Sequence, residues 1–328
     1  MLIKNRQGWE LPESAATPEN VFLNRRHFMK GLGAGSILAG MGSFARPAFA
    51  EVPWAEAQQE DPSFHLYPAA RNHRYRVERD ITDEKTNGTY NNFYEYGSHK
   101  EIWRSAQKLK TRPWEIKIEG MVEKEFTIGI DELLAKVTLE ERVYRHRCVE
   151  AWSMIAPWTG FPLKALVELA KPLGSAKYVE MATFNKPDMA PGQRQFWYPW
   201  PYIEGLSIAE ATNDLAFMVT GAYGKPLAKQ HGAPLRLAAP WKYGFKSVKS
   251  IDRFTFTDQR PKTFWEEVQG REYGFWANVN PKVHHPRWSQ ATERVLGSQE
   301  RIPTQLFNGY GEFVAQIYDG MEGEKLYI

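Results

Sequence analysis

A single cysteine, Cys148, stands among 328 residues, and this constrains the fold before anything else does. No internal disulfide can form, so the chain must hold itself together by burying apolar surface. Twelve Trp, 15 Tyr and 18 Phe supply that surface; exposed together such rings would aggregate, so most must line a core or a pocket. A lone thiol also cannot build a Cys-x-x-Cys redox pair or an iron–sulfur ligand set. If it does chemistry it acts singly, as a nucleophile or a soft metal ligand; otherwise it is a small buried hydrophobe.

Its neighbours favour chemistry. In Tyr144-Arg145-His146-Arg147-Cys148-Val149-Glu150-Ala151-Trp152-Ser153, three basic residues precede the sulfur, and adjacent cations stabilise a thiolate. In an extended chain Glu150 would lie on the same side as Cys148.

Residues 1–50 read as a targeting segment. Asn24-Arg25-Arg26-His27-Phe28-Met29-Lys30 is a twin-arginine stretch, followed by a weakly apolar, glycine-rich run and by Ala48-Phe49-Ala50, a small-x-small cleavage signature. This predicts an export signal cut after Ala50, read by the twin-arginine translocation machinery, which carries folded and often cofactor-loaded proteins to the periplasm. The run is too short for a transmembrane helix, which needs about 20 apolar residues, so a soluble product is expected. Residues 51–328 then form a single domain with 36 basic and 36 acidic residues, and their zero net charge gives no support to nucleic-acid binding.

Along the chain, residues 51–72 read as an irregular surface arm. Alternation predicts strands over Trp114–Glu119 and Phe126–Ile130, and Glu140–Cys148 reads as a further extended segment. Asp131 is expected to cap a short helix to Lys136, Pro157-Trp158-Thr159-Gly160 to make a turn, and Pro162 to open a helix to Ala170. Further strands are predicted over Lys177–Phe184 and Leu215–Thr220, with a short helix from Ser207. There is no β-α-β rhythm, so the class is α+β with mixed sheets, short helices and long loops. Between His231 and Ile251, Arg236, Lys242, Lys246, Lys249 and Ser247 with the flexible Gly244 are candidates to converge on a phosphate; the alternative is a solvated basic turn. The adjacent pair His284-His285 reads as surface.

The combination of YRHRCVEAWSM, the upstream YNNFYE and the downstream HGAPLRL and PWKYGFKSVKSI resembles the sulfite oxidase superfamily of molybdenum enzymes, in particular its periplasmic protein-methionine-sulfoxide reductases. That resemblance covers essentially the whole chain. It implies a sulfite-oxidase fold holding molybdenum on one molybdopterin in its mononucleotide-free form. Carried over by position, Cys148 would be the thiolate on the metal. Asn91, Tyr94, Glu95, Thr183, His231, Arg236 and the run Ser247-Val248-Lys249 would hold the pterin and its phosphate, with Asn92 and Glu150 near the open face of the metal. The implied activity is reduction of free and protein-bound methionine sulfoxide, repairing oxidised envelope proteins. Electrons would come from a membrane haem b subunit linked to the quinone pool, with the catalytic chain a monomer in transient complex. Trp and Tyr residues around Gln195 to Trp200 would supply the rim of the site.

Three rivals make different demands. A sulfite-oxidising or other S- or N-oxide-reducing relative would share the fold, but only 77 residues follow Ile251, little room for an extra dimerisation domain, and Glu150 would repel an anion. A metal-free exported thiol hydrolase using Cys148 with His146 would stay active after complete metal removal. An exported binding protein would keep its function in Cys148→Ser.

Overall fold

The computed structural model describes residues 52–328, so the twin-arginine stretch and its cleavage signature lie outside the described residues. Among the described residues twelve strands form two mixed sheets. The first contains β1 (Glu115–Gly120), β2 (Phe126–Gly129), β5 (Tyr178–Thr183), β6 (Ile203–Ser207) and β10 (Ile251–Thr257), in the order β2-β1-β10-β5-β6. Only β1 and β10 run parallel in it. The second contains β3 (Glu140–Cys148), β4 (Trp152–Pro162), β7 (Phe217–Ala222), β8 (Lys225–Pro226), β9 (Arg236–Ala238), β11 (Thr292–Val295) and β12 (Arg301–Pro303). Here β4 is the axis. It pairs with β3 along one edge, and on the other with β11 at its start and β7 at its end.

Burial explains how these strands read in sequence. β1 alternates because one face meets solvent, whereas β7 is buried at every position and β4 at all but its last, the condition that gives continuous apolar runs. Phe161, Leu166, Val179, Leu206, Phe217, Leu237, Ile251 and Phe254 belong to one buried cluster spanning both sheets. Short helices at Leu163–Ala170 and Ile208–Ala211 follow strands directly. The second opens with the predicted cap: Ser207 Oγ accepts from the Glu210 amide while Glu210 reaches back to the Ser207 amide.

Several expectations are corrected. Pro157-Trp158-Thr159-Gly160 is no turn but the middle of β4, with a register shift after Thr159. Gly160 is there because a Cβ would strike the Met218 carbonyl, a close approach only glycine permits. The helix Ile130–Lys136 starts after Gly129, and Asp131 lies in its first turn, taking Arg112 Nε at 2.9 Å. The arm is also more ordered than predicted, with a helix at Ala55–Gln59 and a 3-10 turn at Pro62–Leu66. Trp54 and Tyr67 are buried, and Tyr67 donates to the Thr220 carbonyl at 2.8 Å. His285 is likewise no surface residue: it stacks on Trp288 at 3.7 Å and sits 3.2 Å from Glu272.

Candidate active site

The hairpin joining β3 to β4 places the cysteine. Cys148 pairs with Trp152 across a three-residue loop, Val149-Glu150-Ala151, in which Ala151 adopts a positive φ of 60° and donates its amide to the Cys148 carbonyl at 3.0 Å, the geometry of a three-residue hairpin. The loop is anchored from behind. Trp288 Nε1 and Gln290 Nε2 both donate to the Val149 carbonyl, at 2.8 and 2.9 Å. Arg147, with no exposed surface, bonds the Cys148 carbonyl and lies 2.9 Å from Glu293.

This arrangement corrects the expectation that basic neighbours activate the thiol. Strand alternation turns Arg145 toward Gln305 and the Asn308 carbonyl and Arg147 toward Glu293, while His146 and Cys148 share the cleft. Burial, with the Glu150 carboxylate beside it, pushes the Cys148 thiol up to about 12. Burial, reinforced by Arg236, Lys249 and His231, also holds His146 well below its ordinary value, as a neutral imidazole. A free thiolate is therefore disfavoured, whereas a soft metal ion takes the place of the thiol proton on binding. Among the described residues no group of three or more His, Cys, Asp or Glu is placed to hold a metal.

The cleft itself encloses about 840 Å³ including its open mouth. Asn91, Asn92, Tyr94, Glu95, Cys148, Glu150, His231, Arg236, Ser247, Val248 and Lys249 all line it, so the structure gathers these sequence candidates at one place. Thr183 stands behind the wall, donating its hydroxyl to the Lys249 carbonyl at 2.8 Å. Glu150 lies in the hairpin turn and not along an extended strand, yet its Oε2 comes 3.7 Å from Cys148 Sγ.

Positive charge marks one part of the wall. Arg236 is buried and gives its donors to the backbone carbonyls of Leu237, His231 and Ser247, at 3.1, 2.9 and 3.2 Å. Burial lowers it only to about 10, so it stays a cation at neutral pH. Burial, with Arg236 and Lys249 nearby, lowers His231 to about 3. Among the described residues Lys249 makes no ion pair within 4 Å; burial and the Arg236 charge pull it down to about 7, and the Glu95 carboxyl, itself raised by burial, opposes this. A buried guanidinium and a half-buried lysine, neither with a contacting carboxylate among the described residues, form a receptor for an anion, and a phosphate monoester matches them. Gly244 belongs to this wall because a Cβ there would run into the His146 ring. Lys242 and Lys246 do not converge on it: they close on Glu210 and Glu204, at 2.5 and 2.6 Å, with no side-chain exposure.

The opposite part is a small polar constellation. Asn92 Nδ2 lies 3.7 Å from Cys148 Sγ and 3.3 Å from Glu150 Oε2, and Trp152 Nε1 donates to the same carboxylate oxygen at 3.1 Å. Lys100, which the sequence did not reveal, bonds both Asn92 Oδ1 and Glu150 Oε2. Burial alone would raise the Glu150 carboxyl, but the Lys100 charge, with Trp152 and Asn92, holds it below its ordinary value. Aromatic rings of Tyr90, Phe93, Trp152, Tyr202, Phe245, Trp265 and Tyr273 complete the lining. Tyr198 packs edge-on against Tyr94, and beyond it Phe196 and Trp197 are exposed, at 90 and 62%.

With that geometry described, its relatives are informative. The family described as "Oxidoreductase molybdopterin binding domain" matches residues 103–265. Over 328 residues, 98% of each chain, the sequence is 43% identical to the protein-methionine-sulfoxide reductase catalytic subunit MsrP of Xanthomonas axonopodis pv. citri (strain 306). The chain belongs to the MsrP family. It is thus a molybdopterin-binding oxidoreductase of the sulfite oxidase superfamily, with the α+β class expected from sequence. Among solved structures, the sulfane dehydrogenase SoxCD from Paracoccus pantotrophus aligns over 78% of this chain and 64% of its own, at 17% identity and a TM-score of 0.44. Nothing further rests on that likeness. The MsrP family's cofactor suits the cleft by charge and by donor type: a soft sulfur on one side and, on the other, the buried Arg236 and half-buried Lys249, with no contacting carboxylate among the described residues.

Proposed function

We propose that this protein reduces methionine sulfoxide, free and within oxidised periplasmic proteins, at a molybdenum bound by Cys148 and by molybdopterin in its mononucleotide-free form. The observation that carries the reading is the meeting, in one cleft, of the lone thiol, the Asn92 and Glu150 groups beside it, and the Arg236 and Lys249 cations. Identity over nearly the whole length of a protein named for this reaction supports the substrate.

When bound, the molybdenum cofactor supplies oxygen-atom acceptance and a two-electron redox change. The protein does the rest. Cys148 ligates the metal as thiolate, and Arg236, Lys249 and Ser247 take the phosphate, with His231, Tyr94, Glu95, Asn91 and Val248 shaping the pterin's seat and Thr183 steadying Lys249. Asn92 presents an N–H toward the sulfoxide oxygen, an acceptor. Trp152, Trp265 and Tyr273 provide an apolar wall that keeps water from the reacting atoms.

Periplasmic location follows from the twin-arginine export reading, and electrons from a membrane haem b subunit of the MsrQ type, linked to the quinone pool, from the family reading. Among the described residues no helix is long and apolar enough to cross a membrane.

Sulfite oxidation is the reading to exclude by assay. Glu150 alone would repel an anion, but Lys100 neutralises that charge locally, so repulsion decides less than the sequence suggested. The test is molybdenum content by mass spectrometry with dye-coupled turnover, wild type beside Cys148→Ser. Near-stoichiometric metal and sulfoxide-dependent dye oxidation are expected in wild type, with turnover down at least 1000-fold in the variant (~4 kcal/mol). Metal-loaded protein active on sulfite and inert to sulfoxide would overturn the substrate; activity without metal would return Cys148 to thiol chemistry.

Phe196 and Trp197, exposed beyond Tyr198, are placed to meet a protein-borne sulfoxide. Trp197→Ala should raise KM for an oxidised protein about threefold to tenfold and leave that for free methionine sulfoxide unchanged. Equal effects on both substrates would remove the rim role.

A further inference from the structure

We infer that Lys100 is a positioning residue for the reaction proposed above, fixing the Asn92 carboxamide so that Nδ2, and not Oδ1, faces Cys148 and the cleft. The inference rests on that reading for the substrate alone; the orientation itself is independent of it.

A carboxamide is nearly symmetric in shape, and only its partners decide which end carries the donors. A lysine ammonium donates and never accepts. With Lys100 Nζ on Oδ1, the oxygen is turned away from the sulfur, and Nδ2 is left 3.7 Å from Cys148 Sγ and 3.3 Å from Glu150 Oε2. The same ammonium holds Glu150 Oε2, which also accepts from Trp152 Nε1 at 3.1 Å. One cation therefore sets two groups, and both lie within 3.7 Å of the cysteine sulfur.

The loop is built to keep Lys100 at this post. Asn91 donates its amide to the Lys100 carbonyl at 2.9 Å, which closes the segment 91–100 at its base. Within it, Phe93 bridges to Gly97 and the Tyr96 amide donates to the Phe93 carbonyl at 2.9 Å. The Lys100 ammonium also stands 5.8 Å from the centre of the Tyr90 ring, a residue of the cleft wall. Lys100 itself is not among the residues lining the cleft, so its effect on the sulfoxide oxygen runs through Asn92, while Glu150 keeps the Trp152 donor that also holds it.

The chemical consequence is a wall that offers donors where both the ligating sulfur and the incoming sulfoxide oxygen are acceptors. Without the ammonium only the longer contact from Nδ2 to Glu150 Oε2, 3.3 Å, still holds the amide, and a flipped Asn92 would set a lone pair against those acceptors. A fixed donor aimed at a polarised oxygen is worth tenfold or more in rate.

The test is a double-mutant cycle on molybdenum-loaded protein with two readouts, sulfoxide turnover and the Mo(V) electron paramagnetic resonance spectrum. Lys100→Met should lower kcat/KM about tenfold and shift the spectrum, while thermal midpoint and metal content stay at wild-type values. Asn92→Ala should cost at least as much. The double variant should match Asn92→Ala within about twofold, because a residue that acts through another adds nothing once that other is gone. Multiplying losses, or a Lys100→Met spectrum identical to wild type, would overturn the proposal. If wild type reduces no sulfoxide, the proposed substrate fails, and the spectra of the four proteins still decide the role of Lys100.

Discussion

Four cations lie between Arg236 and Lys249, and in sequence nothing separates them; in the structure they divide into two pairs with opposite duties. Lys242 and Lys246 are fully buried against Glu210 and Glu204. The first pair is elaborated into a network, with Lys242 also donating to the Trp276 carbonyl at 2.6 Å and Tyr318 bonding Glu210 at 2.7 Å. Arg236 and Lys249 face the cleft and, among the described residues, touch no carboxylate. A buried charge needs a partner. Where the protein supplies it, the charge is part of the scaffold; where it does not, the charge awaits a ligand.

Replacing the two kinds of lysine in the same way should separate these duties. In Lys242→Met, the Glu210 carboxylate stays buried without its cation, a loss of about 3 kcal/mol or more. At a few degrees per kcal/mol for a domain of this size, the thermal midpoint should fall by roughly 10 °C. Lys249→Met removes a charge with no protein partner in contact, so the cofactor-free protein should hold its midpoint within ~3 °C or gain slightly. Its molybdenum and pterin content should fall about tenfold when expressed in a cofactor-competent host. Unfolding curves of cofactor-free protein and metal analysis of loaded protein read the two effects separately. The comparison breaks if Lys249→Met proves as destabilising as Lys242→Met before any cofactor is bound.

The same distinction explains what could be read from the sequence and what could not. Strands β1, β2, β3, β5 and β7 were legible because alternation or an apolar run reports the burial of each face, and Ser207 announced its helix through local chemistry. β4 was misread at Pro157 and Gly160, residues that usually break structure. In this fold they serve a register shift and a close backbone approach, which only a partner strand reveals. At the site, Cys148 and Glu150 stood out by pattern and Asn92 through the family resemblance, and all three meet. Lys100 was invisible: its partners lie 8 and 50 residues away, joined to it by loop closure and not by periodicity. Lys242 and Lys246 passed for ligand groups because Glu210 and Glu204 sit on an earlier helix and strand. Side-chain type travels with the sequence, but charge pairing is settled by topology.

A carboxylate with distant cations only should show the cost of lacking a partner in the mirror-image sense. Asp252 sits in β10 between Ile251 and Arg253, where the register against β5 shifts. It is half-buried, and burial raises it to about 6 from 3.8, although Arg253 and Lys186 pull the other way. No ion pair holds it at contact distance among the described residues. A carboxyl raised on folding binds its proton more tightly in the folded state. Stability is therefore greatest below the unfolded value of 3.8, falls as pH rises toward 6, and is flat above. Asp252→Asn removes that dependence. With partial exposure discounting the effect, the variant should be more stable than wild type by about 1 kcal/mol at pH 7. Below pH 4 the two should unfold together. Urea midpoints at the two pH values measure this difference. A variant no more stable at pH 7 would mean that Arg253 and Lys186 compensate the charge without touching it, and contact alone would no longer separate scaffold charges from those awaiting a ligand.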